Sequence, residues 1–120
     1  MNILKQFDIY QVSLEPRKGS EQGGSRPCVL LQTNAVGHVA RTVLMAPLTS
    51  QKLDKIYPHQ VFIERSKTNG LRESSKLKLD QLRVIDRTRL SKKLGTLESD
   101  YHPAIFEAID VMIDRFGDFR

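Results

Sequence analysis

The hydrophobic periodicity of this chain changes once, near residue 100, and the change limits the folds open to it. Before that point apolar residues alternate with polar ones, as Tyr10, Val12 and Leu14 do, which is the period of a strand with one buried face. From Ile105 to Phe116 apolar residues instead recur at helical spacing. Short strands followed by one helix predict a mainly β fold with a C-terminal helix. We expect a small SH3-like antiparallel barrel.

Turn-forming residues divide the first hundred residues into six predicted strands. Pro16 ends the first strand, and residues 17–25 hold three glycines and almost no apolar side chain, which predicts a mobile or irregular loop. The alternation slips by one residue between Leu79 and Leu82, and a β-bulge explains such a slip. Asp86 is predicted to cap a short turn at 87–90. The strands are predicted at 10–14, 27–32, 42–48, 59–64, 76–80 and 81–86, with a turn at 33–38.

Residues that favour helix ends flank the C-terminal apolar stripe. Ser99 or Asp100 is suited to cap the start, Pro103 to the first turn and Gly117 to the end. The stripe is short and its opposite face carries mixed charge. We therefore expect it to pack in the core or in a dimer, and not to bind a membrane.

The length and charge of the chain narrow its possible partners. Its 120 residues fit one domain, 1–120, and 39% hydrophobic residues exclude a disordered chain. Nineteen Lys and Arg against fourteen Asp and Glu give a net charge of +5, which favours nucleic acid, an anionic membrane face or an acidic protein tail. The single cysteine, Cys28, excludes an internal disulfide and makes a reducing cytoplasm the expected compartment. No apolar run is as long as a membrane span, and residues 1–8 lack the pattern of a signal peptide.

The most specific pattern is Gly19-Ser20-Glu21-Gln22-Gly23-Gly24, followed by Arg26-Pro27 and an apolar strand. With several other segments in register over about a hundred residues, it resembles the MazF/PemK family of toxin endoribonucleases. Phe7 stands where many members have Gly, and Ser13 where many have Asp; both positions lie outside the expected site. The other matching segments are Asp8-Ile9-Tyr10, Ala46-Pro47-Leu48-Thr49-Ser50-Gln51, Pro58-His59, Leu79-Asp80-Gln81-Leu82-Arg83-Val84-Ile85-Asp86 and Arg89-Leu90.

The resemblance implies a metal-independent, sequence-specific endoribonuclease that cleaves single-stranded mRNA. The RNA supplies the nucleophile, its own 2′-hydroxyl, and the products are a 2′,3′-cyclic phosphate and a 5′-hydroxyl. A fixed guanidinium and a hydroxyl donor can orient and stabilise such a phosphate. The chain shows no His or carboxylate cluster at metal-ligand spacing, and no cofactor is expected. The resemblance also implies a cytoplasmic homodimer that an antitoxin with an acidic, partly disordered tail neutralises.

Catalytic roles follow from the resemblance for three residues. Arg26 is implied to stabilise the scissile phosphate and to be a candidate proton donor; a structural Arg paired with a carboxylate is the alternative. Thr49 is implied to bind the same phosphate with its hydroxyl, although a threonine at this position also caps turns. Glu21 is a candidate general base, and a solvated loop carboxylate is the alternative. RNA binding is expected of Ser20, Gln22, Ser50, Gln51, His59, Lys78, Gln81 and Arg83, with a solvated polar surface as the competing interpretation for several of them.

The remaining charged and histidine residues are less specific. The histidines, His38, His59 and His102, are far apart in sequence, and we expect them to be mainly structural. A basic run in the last third of the chain is either a solvated face or a source of salt-dependent attraction to RNA. Its members are Lys76, Lys78, Arg83, Arg87, Arg89, Lys92 and Lys93.

Two alternatives involve no chemistry. CcdB-like toxins share the expected barrel and poison DNA gyrase with a Trp-Gly pair near their C-terminus. This chain has no Trp and ends Phe116-Gly117-Asp118-Phe119-Arg120, which argues against gyrase poisoning. A degenerate member that only binds RNA or an antitoxin is the other alternative, and the presence of Arg26 and Thr49 argues against it.

Overall fold

The computed structural model describes residues 3–33, 35 and 41–120. Positions 34 and 36–38 of the predicted turn, His38 among them, lie outside the described residues. Three short 3-10 turns, Leu79–Gln81, Arg87–Arg89 and Ser99–Tyr101, join elements in the second half of the chain. The strands are β1 (Asp8–Ser13), β2 (Ser25–Leu30), β3 (Thr42–Thr49), β4 (Gln60–Ile63), β5 (Ser75–Lys78), β6 (Arg83–Asp86) and β7 (Leu90–Thr96), and they precede helix α1 (His102–Met112).

All strand pairs are antiparallel, and β3 is the strand with the most neighbours. The order across the sheet is β4-β5-β3-β2-β1-β7, and β6 also pairs with β3. The first half of β3 pairs with β6, and its end, Leu48 and Thr49, pairs with β5. The predicted fold class, mainly antiparallel β with one C-terminal helix, is confirmed. The sheet is not closed, because β4 and β7 at the ends of this order are not paired with each other in the described chain.

The two faces of the sheet bury different clusters. Neighbouring residues such as Ile9 and Tyr10 belong to different clusters, as the alternation of strand side chains requires. The first cluster receives Ile105 and Ala108 from α1, so the helix covers that face. The second cluster includes Cys28, together with Val12, Leu14, Leu30, Val43, Met45 and Ile85.

The chain between β5 and β6 differs from the prediction. The slip after Leu79 is not a bulge within continuous strands; residues Leu79–Gln81 form a 3-10 turn. This turn carries the chain from one end of β3, where β5 pairs, to the other end, where β6 pairs. The alternation predicts that Gln81 and Arg83 share a strand. This prediction is wrong, because Gln81 lies in the 3-10 turn and Arg83 begins β6. Asp86 does cap the next turn, accepting a hydrogen bond from the Thr88 amide at 2.9 Å.

Strand β7 is not predicted by the sequence. Among the described strands it pairs only with β1, at the end of the sheet, and all of its residues are exposed or half-buried. An edge strand of this kind has little need for apolar alternation, so the pattern Ser91-Lys92-Lys93 gives no strand signal.

Helix α1 is shorter than the apolar stripe. It ends at Met112, and the side chains of Ile113 and Phe116 are 60% and 74% exposed. Pro103 lies in the first turn as predicted, but neither Ser99 nor Asp100 caps the helix, because a 3-10 turn leads directly into it. Within the described part of the chain, α1 and the shorter turns all fall short of the length and apolarity that crossing a membrane requires.

Phe7 is one of the two positions at which the chain departs from the family pattern. Its φ is +73°, a left-handed conformation that favours glycine. Its ring is stacked on His102 at a centroid distance of 3.5 Å and packs edge-on against Phe106 at 6.0 Å. The aromatic contacts accompany the strained backbone and give His102 a structural role.

Candidate functional site

Arg26 and Thr49 lie at the same edge of the sheet. Cys28 pairs with Pro47 in the β2–β3 register, and Arg26 and Thr49 each lie two residues beyond this pair, at the same end. Side chains two apart on a strand share a face, so both residues belong to the face of Cys28. The structure thus brings together the strand ends of the two residues for which the resemblance implied contact with the scissile phosphate.

The Arg26 guanidinium is anchored at one nitrogen only. Its Nε donates to the carbonyl oxygen of Gly23 at 2.6 Å. Within residues 3–33 and 41–120, Nη1 and Nη2 have no hydrogen-bond acceptor, and no carboxylate lies within 4 Å. The structural alternative, an Arg paired with a carboxylate, is therefore wrong for the described residues. The two free nitrogens are available to bind an oxyanion in the bidentate manner typical of arginine.

Arg83 brings a second positive charge to the same face. Burial raises the pKa of the Cys28 thiol to about 12, and the charges of Arg83 and Arg26 act in the opposite direction. Both guanidinium groups therefore lie close enough to Cys28 to lower the pKa of its thiol. The thiol itself stays protonated at neutral pH, which excludes it as a nucleophile.

Gln22, Lys78 and Gln81 form a polar network across long sequence distances. The backbone amide of Gln22 donates to Oε1 of Gln81 at 3.1 Å. The Lys78 ammonium donates to Oε1 of Gln22, also at 3.1 Å. These bonds occupy the two side-chain carbonyls, and the side-chain NH₂ groups of both glutamines have no acceptor in the part of the chain that the structure describes. The network joins the glycine-rich loop to the end of β5.

The glycine-rich loop is held at its base by Glu15. The Glu15 carboxylate accepts hydrogen bonds from the backbone amides of Arg17 at 3.0 Å and Gly24 at 2.6 Å. These two amides, with the charge of Arg17, hold the pKa of Glu15 below its usual range. Gly24 has a φ of +76°, so glycine is required where the loop turns back into β2.

Glu21 and Ser20 lie on the exposed part of this loop. The Glu21 carboxylate accepts a hydrogen bond from the Lys18 amide at 2.9 Å. In the described structure it makes no hydrogen bond or ion pair with Arg26 or Thr49. The structure therefore places Glu21 on the loop that borders the site but does not bring its carboxylate to the other two residues.

The Thr49 hydroxyl has a local partner and a free proton. Its Oγ1 accepts a hydrogen bond from the Gln51 amide at 3.2 Å, and the residue is buried. The turn-capping interpretation is correct for the oxygen as an acceptor. With respect to the described residues, the hydroxyl hydrogen remains available as a donor. Ser50 and Gln51, which follow, are exposed.

His59 lies at the far end of this region. Its Nε2 is 3.8 Å from Oδ2 of Asp80, and its ring is stacked on Tyr57 at a centroid distance of 5.7 Å. These contacts fix the imidazole beside the exposed Tyr57 ring. Among the described residues, no three His, Cys, Asp or Glu side chains are arranged to hold a metal ion.

The basic run does not form one face. Lys76 is buried, and its ammonium donates to the carbonyls of Lys52 at 2.9 Å and Lys55 at 3.1 Å. Lys93 lies 3.4 Å from the buried Asp8 carboxylate, and Arg89 donates to the carbonyl of Glu15. Sequence reasoning missed the structural role of Lys76. The available signal was its position beside Leu77, in a strand buried on both faces.

The fold and the site define a small antiparallel β protein with a cationic edge that is rich in hydrogen-bond donors. The family described as PemK-like, MazF-like toxin of type II toxin-antitoxin system matches residues 5–113. The chain belongs to this family.

Individual relatives and structures agree with this assignment. Endoribonuclease MazF of Staphylococcus saprophyticus is 34% identical over 111 residues, covering 92% of each chain. The crystal structure of MazF from Deinococcus radiodurans superposes with a TM-score of 0.81 at 23% identity, covering 95% of this chain and 99% of that one. A mycobacterial endoribonuclease in complex with its cognate antitoxin gives 0.77 at 17% identity, covering 94% and 97%.

Proposed function

We propose that this protein is a toxin endoribonuclease that cleaves single-stranded mRNA at specific sequences without a metal ion or cofactor. The observation that carries the proposal is the Arg26 guanidinium, with two free nitrogens, at the strand edge it shares with the Thr49 hydroxyl. Family membership and the name of the staphylococcal relative support it.

The proposed reaction uses the RNA as its own nucleophile. The 2′-oxygen attacks the adjacent phosphorus and gives its proton to a base, for which Glu21 is proposed. The bond from phosphorus to the 5′-oxygen breaks, and that oxygen takes a proton, with Arg26 as the proposed donor. The products are a 2′,3′-cyclic phosphate and a 5′-hydroxyl. Glu21 can act only after its carboxylate leaves the Lys18 amide.

Arg26 and Thr49 are proposed to stabilise the phosphate in the transition state. The two free nitrogens of Arg26 suit the charge that develops on the non-bridging oxygens, and the Thr49 hydroxyl adds a third donor. Donors fixed before the reaction need no reorganisation when this charge appears. The bond from Arg26 to the Gly23 carbonyl supplies that fixation for the guanidinium.

RNA is proposed to lie along the network that leads from this edge to β5. Gln22, Lys78 and Gln81 offer amide and ammonium donors, and Arg83 adds positive charge. Side-chain amides read base edges, which suits sequence-selective cleavage of unpaired RNA. Ser20, Ser50, Gln51 and His59 are proposed to complete the binding surface.

The proposed partners are an antitoxin with an acidic tail and a second copy of this chain, in the cytoplasm. The net charge of +5 suits an acidic segment, and one structural neighbour is an endoribonuclease bound to its cognate antitoxin. Binding-only toxicity of the CcdB type is not favoured by any observation on this chain.

Arg26→Ala tests the proposal, with Arg115→Ala as a matched control because Arg115 is exposed near the C-terminus. We expect Arg26→Ala to fold and assemble like the wild type but to lose RNA cleavage and growth arrest, while Arg115→Ala keeps both. Cleavage by Arg26→Ala at a rate near that of the wild type contradicts the assignment.

A further inference from the structure

A cleft of about 540 Å³ opens beside the proposed catalytic edge, on the side of the first core cluster. Arg26 and Ser50 line its end nearest that edge, and Arg72 and Lys92 line its walls. Its volume lies within the range of about 300–1,000 Å³ that is typical of small-ligand sites. The cleft therefore borders the proposed site across the strand edge and has no role in the reaction as described above.

The charge of the cleft favours an anionic ligand. Arg72 and Lys92 contribute two positive charges and Glu73 contributes one negative charge, whereas Arg26 borders the cleft with its side chain on the opposite face, that of Cys28. Within the described ranges, none of these four side chains lies within 4 Å of an oppositely charged group. Cations that are not neutralised by the protein are available to bind phosphate.

The floor of the cleft is apolar, and one wall carries a fixed polar pair. Pro27 and Leu94, both half-buried, supply apolar surface. The Gln11 side-chain amide donates to Oγ of Ser25 at 2.8 Å, which leaves the Gln11 carbonyl as an acceptor and the Ser25 hydroxyl as a donor. An apolar floor suits the ring of a base, and the polar pair beside it suits the edge of that base. Inorganic phosphate has no apolar surface that could pack on this floor.

The wall that carries Arg72 is formed in advance. Gly70, with a φ of +70°, packs so closely on β7 that a Cβ would overlap the carbonyl of Leu94. The fully buried Asn69 beside it donates to the Glu64 carbonyl at 2.9 Å and to the Glu98 carboxylate at 3.1 Å. A ligand in the cleft therefore does not have to order this segment.

We propose that the cleft binds a nucleotide of single-stranded RNA that flanks the cut. Its phosphate lies between Arg72 and Lys92, its base lies on the apolar floor, and the Gln11–Ser25 pair contacts the base edge. The inference rests on the proposed function for the identity of the polymer. It extends the RNA path from the catalytic edge across β2 to β7, and it gives Lys92 a role different from that of the neighbouring Lys93.

The test is the salt dependence of RNA affinity, measured without cleavage. The probe is a fluorescent single-stranded RNA in which fluorine replaces every 2′-hydroxyl, so that the nucleophile is absent. Each lost phosphate contact lowers the slope of log affinity against log salt by about 0.7 for a single strand. We expect that full reduction for the double variant, in which the phosphate loses both cations, and a smaller reduction for Lys92→Ala and for Arg72→Ala alone. Lys67→Ala, an exposed lysine outside the cleft, should keep the wild-type slope.

Cleavage of unmodified RNA is the second readout. Lys92→Ala should raise KM and leave kcat unchanged, and this effect should disappear on an RNA that is shortened to remove the flanking nucleotide. Slopes for Lys92→Ala and Arg72→Ala equal to that of Lys67→Ala overturn the proposal, including the case in which the cleft serves an acidic peptide instead. Wild-type protein that binds the probe but cuts no RNA contradicts the proposed function alone.

Discussion

Lys76 is the residue whose replacement tests the fold beside the site most sharply. Its side chain is only 5% exposed, and its ammonium donates to the carbonyls of Lys52 and Lys55. It also pairs with Thr49 across β3 and β5. The lysine thus fixes the β3–β4 loop, which begins directly after Thr49.

Lys76→Met keeps the aliphatic stem and removes the ammonium. Two hydrogen bonds from a charged donor contribute about 1.5–3 kcal/mol each. Part of that is recovered, because methionine avoids the desolvation of a buried charge and the exposed loop carbonyls can bind water. We expect a net loss of about 1–3 kcal/mol in the free energy of unfolding. At about 4 °C per kcal/mol for a chain of this size, the melting temperature should fall by roughly 4–12 °C.

The assay is thermal unfolding followed by circular dichroism, with hydrogen exchange of residues 50–58 as the local readout. Lys78→Met is the matched control, since Lys78 is on the same strand but only half-buried and bonded to a side chain; it should lose less than about 1 kcal/mol. A melting temperature for Lys76→Met equal to that of Lys78→Met, with unchanged exchange in the loop, refutes the reasoning.

Three further predictions concern stability and pH. Phe7→Gly relieves a left-handed backbone, worth about 1–2 kcal/mol, but loses the burial of a phenyl ring, worth about 3–5 kcal/mol. Denaturant unfolding should show a net loss of about 1–4 kcal/mol, and a gain in stability contradicts this balance. The pKa of Glu15 is lowered from 4.5, so its carboxylate keeps its two amide bonds above pH 4.5 and loses them as the pH falls through its lower folded value. Exchange protection of the Gly24 amide should fall in that range, and protection that does not change there counts against the role of Glu15. Asp86→Ala removes a turn cap and should cost about 1 kcal/mol in a chemical-denaturation experiment, whereas an unchanged midpoint shows that the cap contributes nothing.

The sequence predicts the fold class because the period of its apolar residues is a property of the buried faces. Strands that bury a face, such as β1 and β3, carry the alternation and are predicted to within a few residues. Strand β7 is not predicted, because it pairs at the edge of the sheet and buries little side-chain surface. The 3-10 turn at Leu79–Gln81 is not predicted either, since its cause is the change of partner along β3, a long-range contact.

The candidate site was predictable in its residue types and only partly in its geometry. The motif around Arg26 identifies the loop and the strand, and the structure adds that the guanidinium is anchored and unpaired. The bonds of Gln22 to Gln81 and Lys78 join positions 59 and 56 residues apart, so no local pattern reveals them. The bonds of the Lys76 ammonium to the carbonyls of Lys52 and Lys55 were not predicted for a different reason. A lysine in a basic run is usually solvated.

The most direct test of the central claim is cleavage of a long single-stranded RNA by the purified protein in excess EDTA, with mapping of the fragment ends. The proposal predicts discrete cuts at a repeated sequence, with 5′-hydroxyl ends and 2′,3′-cyclic phosphates, that are absent with Arg26→Ala. Intact RNA from folded, antitoxin-free protein contradicts metal-independent cleavage, and cuts that persist in Arg26→Ala contradict the site.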